Sequence, residues 1–191
     1  FGRINFNVTT LGLGGQASLQ LTPDGVDPVA IIKKAFDLGV NYFDTSNVYG
    51  PSQLNYGKAF RELNLIPGQK GYNQSLRESI FLTNKTMIRW AKEGYPRIEN
   101  VRNSTNGDHA GGAVEDLKRT LSQIFGNDDG TYPEGSYVNM MLIHNITNPE
   151  EVDVVYKGLE TPLDVNDNFG ALVALRDYRD GTNITGLNPK N

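Results

Sequence analysis

Short apolar runs alternate along this chain with amphipathic stretches, and that alternation confines it to parallel strand–helix architectures. Leu11 to Gly14 is a glycine-bounded strand candidate. Pro28 to Leu38 follows as a helix, with Asp27 as N-cap and Pro28 at the first helical position. Its apolar residues Ile31, Ile32, Ala35, Phe36 and Leu38 cluster on one side, and Gly39 ends it. Asn41 to Asp44 predicts the second strand, Ser52 to Leu63 the second helix and Ser79 to Thr83 the third strand. Ala113 to Phe125 is amphipathic, with Val114, Leu117, Leu121, Ile124 and Phe125 as its buried stripe. Tyr137 to Ile143 gives a fourth strand, Ala171 to Tyr178 a fourth helix and Asn183 to Leu187 a fifth strand. Polar runs at Asn100 to Gly112 and Gly126 to Gly135 read as surface loops. The expected class is α/β, as a single domain over residues 1–191.

Composition removes several function classes. At 38% hydrophobic residues and a mean hydropathy of −0.44, the chain suits a soluble domain with a real core. No apolar run approaches the roughly 18 residues of a membrane span. A net charge of −4 with no Lys/Arg block argues against nucleic acid as a partner. The absence of cysteine excludes disulfides, thiol nucleophiles and Cys-based zinc sites. With only two histidines besides, no metal site is expected, and Asp128-Asp129 and Asp164 to Asp167 read as solvated acidic loops. The chain opens at Phe1 with neither an initiator Met nor an apolar signal segment. A cytoplasmic location is expected, with export after removal of a signal as the alternative. Asn-x-Ser/Thr triplets at Asn7, Asn73, Asn84, Asn103, Asn145 and Asn183 are read mainly as chance matches in an Asn-rich chain.

Four polar residues lie at or just beyond the ends of the expected strands. Asp44 closes the second strand, Tyr49 lies in the loop after it, Lys85 follows the third strand, and His144 ends the fourth. In a parallel barrel those strand ends converge on one mouth, where active sites are built. Each residue alone has an ordinary reading as a cap, a packing ring, a solvated cation or a structural imidazole. Together they make a proton-transfer set. A free phenol, with a pKa of roughly 10, is a poor acid at neutral pH. A neighbouring ammonium lowers that value, a carboxylate holds the ammonium, and an imidazole orients a carbonyl oxygen.

The stretch Tyr42-Phe43-Asp44-Thr45-Ser46-Asn47-Val48-Tyr49-Gly50, with Ser52 and Gly57-Lys58-Ala59-Phe60, resembles the aldo-keto reductase signature. Leu11-Gly12-Leu13-Gly14-Gly15 is similar to that family's first strand, and Phe81-Leu82-Thr83-Asn84-Lys85 to its lysine-bearing strand. Gly112 to Leu121, then Leu142-Ile143-His144, resembles the helix and strand that deliver its histidine. Gln53 where the family usually has Glu, Tyr56 before Gly57, and Asn145 after His144 depart from the pattern. A Rossmann reading of Gly12 to Gly15 fails, because the second half of that fingerprint is missing.

The resemblance implies a (β/α)8 TIM barrel, of which this chain covers roughly the first five βα units. It implies NADPH-dependent reduction of a carbonyl on a small-molecule substrate, with NADH as the alternative cofactor. Asp44, Tyr49, Lys85 and His144 would be the catalytic residues: Tyr49 the proton donor, Lys85 and Asp44 tuning it, His144 placing the substrate oxygen. Gly15, Gln16 and Asp44 would contact the cofactor, and Trp90 would wall the substrate pocket beside His144. His109 reads as a solvated loop residue. A complete barrel needs roughly 250 residues, and the family's later strands hold the adenine end of the cofactor. The chain is therefore expected to be the N-terminal portion of such an enzyme. If it is truly truncated, self-association is expected, and the alternative function is a non-catalytic binding or regulatory subunit.

Overall fold

The computed structural model describes residues 5–86 and 110–144, together with Pro149. Its elements run β1 (Leu13–Gly14), α1 (Pro28–Asp37), β2 (Tyr42–Asp44), α2 (Ser52–Glu62), α3 (Gln74–Glu78), β3 (Phe81–Thr86), α4 (Ala110–Phe125) and β4 (Met140–Ile143). The four strands are all parallel and lie in chain order, β1-β2-β3-β4. That order never reverses, as it must in a doubly wound nucleotide-binding sheet, so the arrangement is that of a partial barrel. The fourth helix and fifth strand expected from the sequence lie outside the described residues.

Local chemistry explains the helix ends. The Asp27 carboxylate accepts from Val29 N at 2.9 Å and caps α1, with Pro28 at the first turn. At the other end Gly39, at φ +78°, donates to Phe36 O, and Val40 N donates to Ala35 O. This is a Schellman closure, which requires a left-handed residue at that position. Helix α2 ends the same way, with Asn64 at φ +58° and Leu65 N bonded to Phe60 O at 2.8 Å.

Strand alternation then sorts side chains between two faces. Leu13, Phe43, Leu82 and Met141 face the helices and join the core with residues from α1, α2 and α4. Phe36 stacks on Phe43 at 4.5 Å, and Phe60 meets Phe36 edge-on. Asp44, Thr83 and Lys85 occupy the opposite, barrel-interior face.

Several elements differ from the sequence reading; β4, for one, begins at Met140 and not at Tyr137. Strand β3 starts at Phe81 and runs to Thr86, because Lys85 and Thr86 find partners in Leu142 and Ile143. Lys85 is therefore inside the strand, not beyond it. Ser79 instead caps α3, a five-residue helix the periodicity did not reveal, whose N-cap Asn73 accepts from Leu76 N. Helix α4 begins at Ala110 and takes in Gly111 and Gly112, since glycines carry no apolar period to mark its first turn. Leu38 is not part of the buried stripe: it is 70% exposed.

Leu38 belongs instead to an apolar groove of about 750 Å³ that it lines with Leu11, Leu13, Val26 and Ile31 along the outer edge of β1. In a closed parallel barrel the first strand's outer edge pairs with the last strand. Helices α2 and α4 approach closely at Gly57, where a Cβ would lie 2.6 Å from Gln123 O and 2.9 Å from Ile124 O. Gly57→Ala gains up to about 1 kcal/mol of helix propensity. Both obstructing atoms are backbone, so overpacking of about 1–3 kcal/mol is expected to win. A lowered thermal midpoint checks this, and an unchanged or raised one would refute the close approach.

Candidate active site

The C-terminal ends of β2, β3 and β4 bring Asp44, Tyr49, Lys85 and His144 together. Lys85 Nζ donates to Asp44 Oδ1 at 2.5 Å and to Thr45 O at 2.8 Å. The ion pair is partly enclosed, with side chains 11% and 25% exposed. The same ammonium sits 4.7 Å above the centre of the Tyr49 ring, a cation–π contact with its face. Tyr49 Oη lies 3.5 Å from His144 Nε2, and the two rings meet edge-on at 5.5 Å. His144 follows β4 directly, its N–H donating to Thr86 O at 2.8 Å.

The electrostatics run opposite to the sequence-based expectation that Lys85 lowers the phenol's pKa. Burial, and then the charge of Asp44, hold the Tyr49 hydroxyl above the ordinary phenol value. The ammonium donates to Asp44 and Thr45 and lies over the ring face. Lys85 itself is lowered, because burial outweighs the support of Asp44. An ordinary phenol is already protonated at neutral pH, so the raised value leaves Tyr49 protonated but makes it a weaker acid than free tyrosine.

Beneath the cluster runs a buried polar network that the sequence reading did not pick out. Asn84 and Thr86 occupy helix-facing positions of β3, where a polar side chain must find a partner. Asn84 Nδ2 donates to Gln53 Oε1 at 2.6 Å, and Gln53 Nε2 donates to Asn47 Oδ1 at 3.1 Å. Asn47 Nδ2 reaches Asp116 O, and Thr86 Oγ1 donates to Asp116 Oδ2 at 2.7 Å. The network ties the strand bearing Lys85 to the loop bearing Tyr49. Gln53, noted from sequence only as a departure, is its hub: an amide donates and accepts at once, which a carboxylate does not. The signal that would have exposed the network is the alternation Leu82-Thr83-Asn84-Lys85-Thr86, which sends two polar side chains toward the core. Tyr56, the second departure, is fully buried and donates to Leu13 O at 3.0 Å, joining the ends of β1 and β2.

Of the expected cofactor contacts, Gly15 is buried, and a Cβ there would meet Ser52 Oγ, Asp44 O and Thr45 Oγ1. Its small size is needed by packing on β2. Gln16 is exposed just beyond β1, and Asp44 is the ion-paired carboxylate. Gly14 is in register with Asp44, and the space at its Cβ position is open to 4 Å. Trp90, His109 and Asn145 lie outside the described residues. Among the described residues no group of three or more His, Asp or Glu could hold a metal, and no helix is long and apolar enough to cross a membrane. Asp129, expected as a solvated loop residue, accepts from Thr131 N and Oγ1, which hold its carboxyl below the usual range. Asn84 is fully buried, so its triplet is closed to glycosylation in the folded chain.

The sequence model described as the Aldo/keto reductase family matches residues 10–161. D-arabinose 1-dehydrogenase of Saccharomyces cerevisiae is 37% identical over 82 residues, which is 41% of this chain and 22% of that protein. Two structures assigned as aldo-keto reductases of Pseudomonas aeruginosa share the fold. One gives a TM-score of 0.57 at 21% identity, covering 97% of this chain and 55% of the other. The second gives 0.54 at 22% identity, covering 94% and 53%. The chain thus spans about half the length of these solved relatives and under a quarter of the curated one.

Proposed function

Since the chain belongs to the aldo/keto reductase family, we propose that its Asp44–Tyr49–Lys85–His144 cluster is the proton-transfer centre of a reductase acting on aldehydes, ketones or sugars, with NADPH as cofactor and NADH as the alternative. The observation that carries this reading is the 3.5 Å separation of Tyr49 Oη and His144 Nε2. Two donors that far apart both reach a single acceptor oxygen at the usual 2.7–3.0 Å or so. A carbonyl oxygen seated there receives one hydrogen bond from each, and the bonds strengthen as negative charge develops on it.

The residues fit a nicotinamide ring. Gly14 leaves open space on the interior face beside Asp44, and the exposed Gln16 amide stands at the end of the same strand. When bound, the cofactor supplies the hydride. The protein's own part is proton delivery. Tyr49, protonated at neutral pH as any phenol is, gives its proton to the developing alkoxide, a far stronger base than a phenolate. His144 holds that oxygen in place. The Lys85 ammonium, fixed by Asp44 and Thr45, steadies the phenolate left behind.

The test is a fluorescence titration of the 191-residue chain with NADPH, followed by a carbonyl screen on any form that binds. Saturable binding with turnover supports the reading. A folded chain that ignores both NADPH and NADH would overturn it for these residues alone and mark the chain as a fragment or a non-catalytic relative.

A further inference from the structure

His144 is gripped at both ring nitrogens by residues of a single turn. Tyr49 N donates to Ser46 O at 3.1 Å, closing a four-residue turn immediately after Thr45. The first residue of that turn places Ser46 Oγ 3.2 Å from His144 Nδ1, and the last places Tyr49 Oη 3.5 Å from Nε2. Ser46 is 1% exposed, so bulk solvent does not reach its hydroxyl. Val48 N donates to Ser46 Oγ at 3.4 Å, which engages a lone pair and leaves the hydroxyl proton to be placed. A buried hydroxyl finds an acceptor for its proton, and Nδ1 lies within reach.

We propose that Ser46 is a positioning residue that donates to His144 Nδ1 and so fixes the neutral imidazole as the Nε2–H tautomer, with that N–H aimed at the site shared with Tyr49. A neutral imidazole carries one proton, and occupying Nδ1 as an acceptor commits it to Nε2. With this tautomer, Nε2–H and the Tyr49 hydroxyl are two donors directed at one oxygen. With the other tautomer, Nε2 is an acceptor, engages the Tyr49 hydroxyl's hydrogen bond and offers a carbonyl nothing. The catalytic meaning of this tautomer rests on the proposed reading of the cluster, whereas the tautomer itself does not.

The test is nitrogen-15 NMR of the imidazoles in the labelled 191-residue chain, about two pH units above the usual imidazole pKa of roughly 6.5. The chain has two histidines, and a His109→Gln variant assigns His144. In the wild-type chain Nδ1 is expected at an unprotonated shift and Nε2 at a protonated one, with their full separation. Ser46→Ala is expected to shrink that separation as the second tautomer becomes populated, and Ser46→Thr, which keeps the hydroxyl, to restore it. A protonated Nδ1 in the wild-type chain overturns the proposal whether or not either variant folds. So does a folded Ser46→Ala chain with unchanged shifts. Expected shifts in a protein that never reduces a carbonyl would leave the tautomer standing and remove the catalytic reading.

Discussion

Tyr49→Phe is expected to lower carbonyl turnover about 10²–10⁴-fold while leaving cofactor affinity nearly intact. That loss is roughly 3–5 kcal/mol of transition-state stabilisation, the scale of removing one positioned proton donor. The phenyl ring keeps the edge-on packing against His144 and the face offered to Lys85, so the substitution removes only the hydroxyl. The pH dependence carries a sign. Burial and Asp44 raise the Tyr49 pKa above the ordinary phenol value, so the protonated form persists further into alkali. Reduction, which consumes that proton, should hold to a higher pH than a free phenol with a pKa of about 10 would permit. Subtracting the Tyr49→Phe phenolate absorbance from the wild-type titration isolates this one ionisation. A Tyr49 that ionises below free tyrosine would mean that the Lys85 charge, not burial, sets its acidity. Unchanged turnover in Tyr49→Phe would end the proposed mechanism.

The largest expected loss of stability is at Arg77, a residue no sequence signal marked. It is fully buried in α3, and its guanidinium lies 3.7 Å from the centre of the Tyr137 ring. Nη2 donates to Tyr137 O at 2.6 Å and Nη1 to Asn139 Oδ1 at 3.5 Å, while Nε is among the described buried atoms without a partner. Burial pushes the guanidinium down to about 10, which still leaves it charged at neutral pH. The cost of burying that charge is offset by the ring and carbonyl it binds. Arg77→Ala forfeits those contacts, strands the Tyr137 carbonyl and opens a cavity. Removal of a buried charge returns part of this, and a net loss of about 3 kcal/mol is expected. In a domain of this size that lowers the thermal midpoint by roughly 6–12 °C. Arg77→Met keeps most of the volume and discards the charge, so it should lose clearly less. Equal losses in the two variants would show that the polar contacts, not the filled space, matter. Since Tyr137 to Asn139 lead into β4, which His144 follows directly, loosening here should also broaden the His144 ring signals.

The four strands, α1, α2 and the bulk of α4 were legible in the sequence because their signals are local. Apolar period, the Asp27 cap, Pro28 and Gly39 all act within a few residues. The four candidate site residues were legible for a related reason. In a parallel barrel every strand delivers its end to the same mouth, so naming the strand ends names the site. Other features depend on contacts between residues far apart in sequence, and no local pattern encodes them. Ser46 and His144 are 98 positions apart, Arg77 and Tyr137 are 60 apart, and Asn84 and Gln53 are 31 apart. The extension of β3 through Lys85 was decided by pairing with β4, and the exposure of Leu38 by its place beside an edge of β1 that no described strand pairs with. The direction of the Tyr49 shift was decided the same way. The sequence supplied an ammonium, a carboxylate and a phenol, and an ammonium beside a phenol predicts a lowered value. Tertiary structure turned the ammonium toward Asp44 and the ring face and enclosed the hydroxyl, and desolvation then fixed the sign.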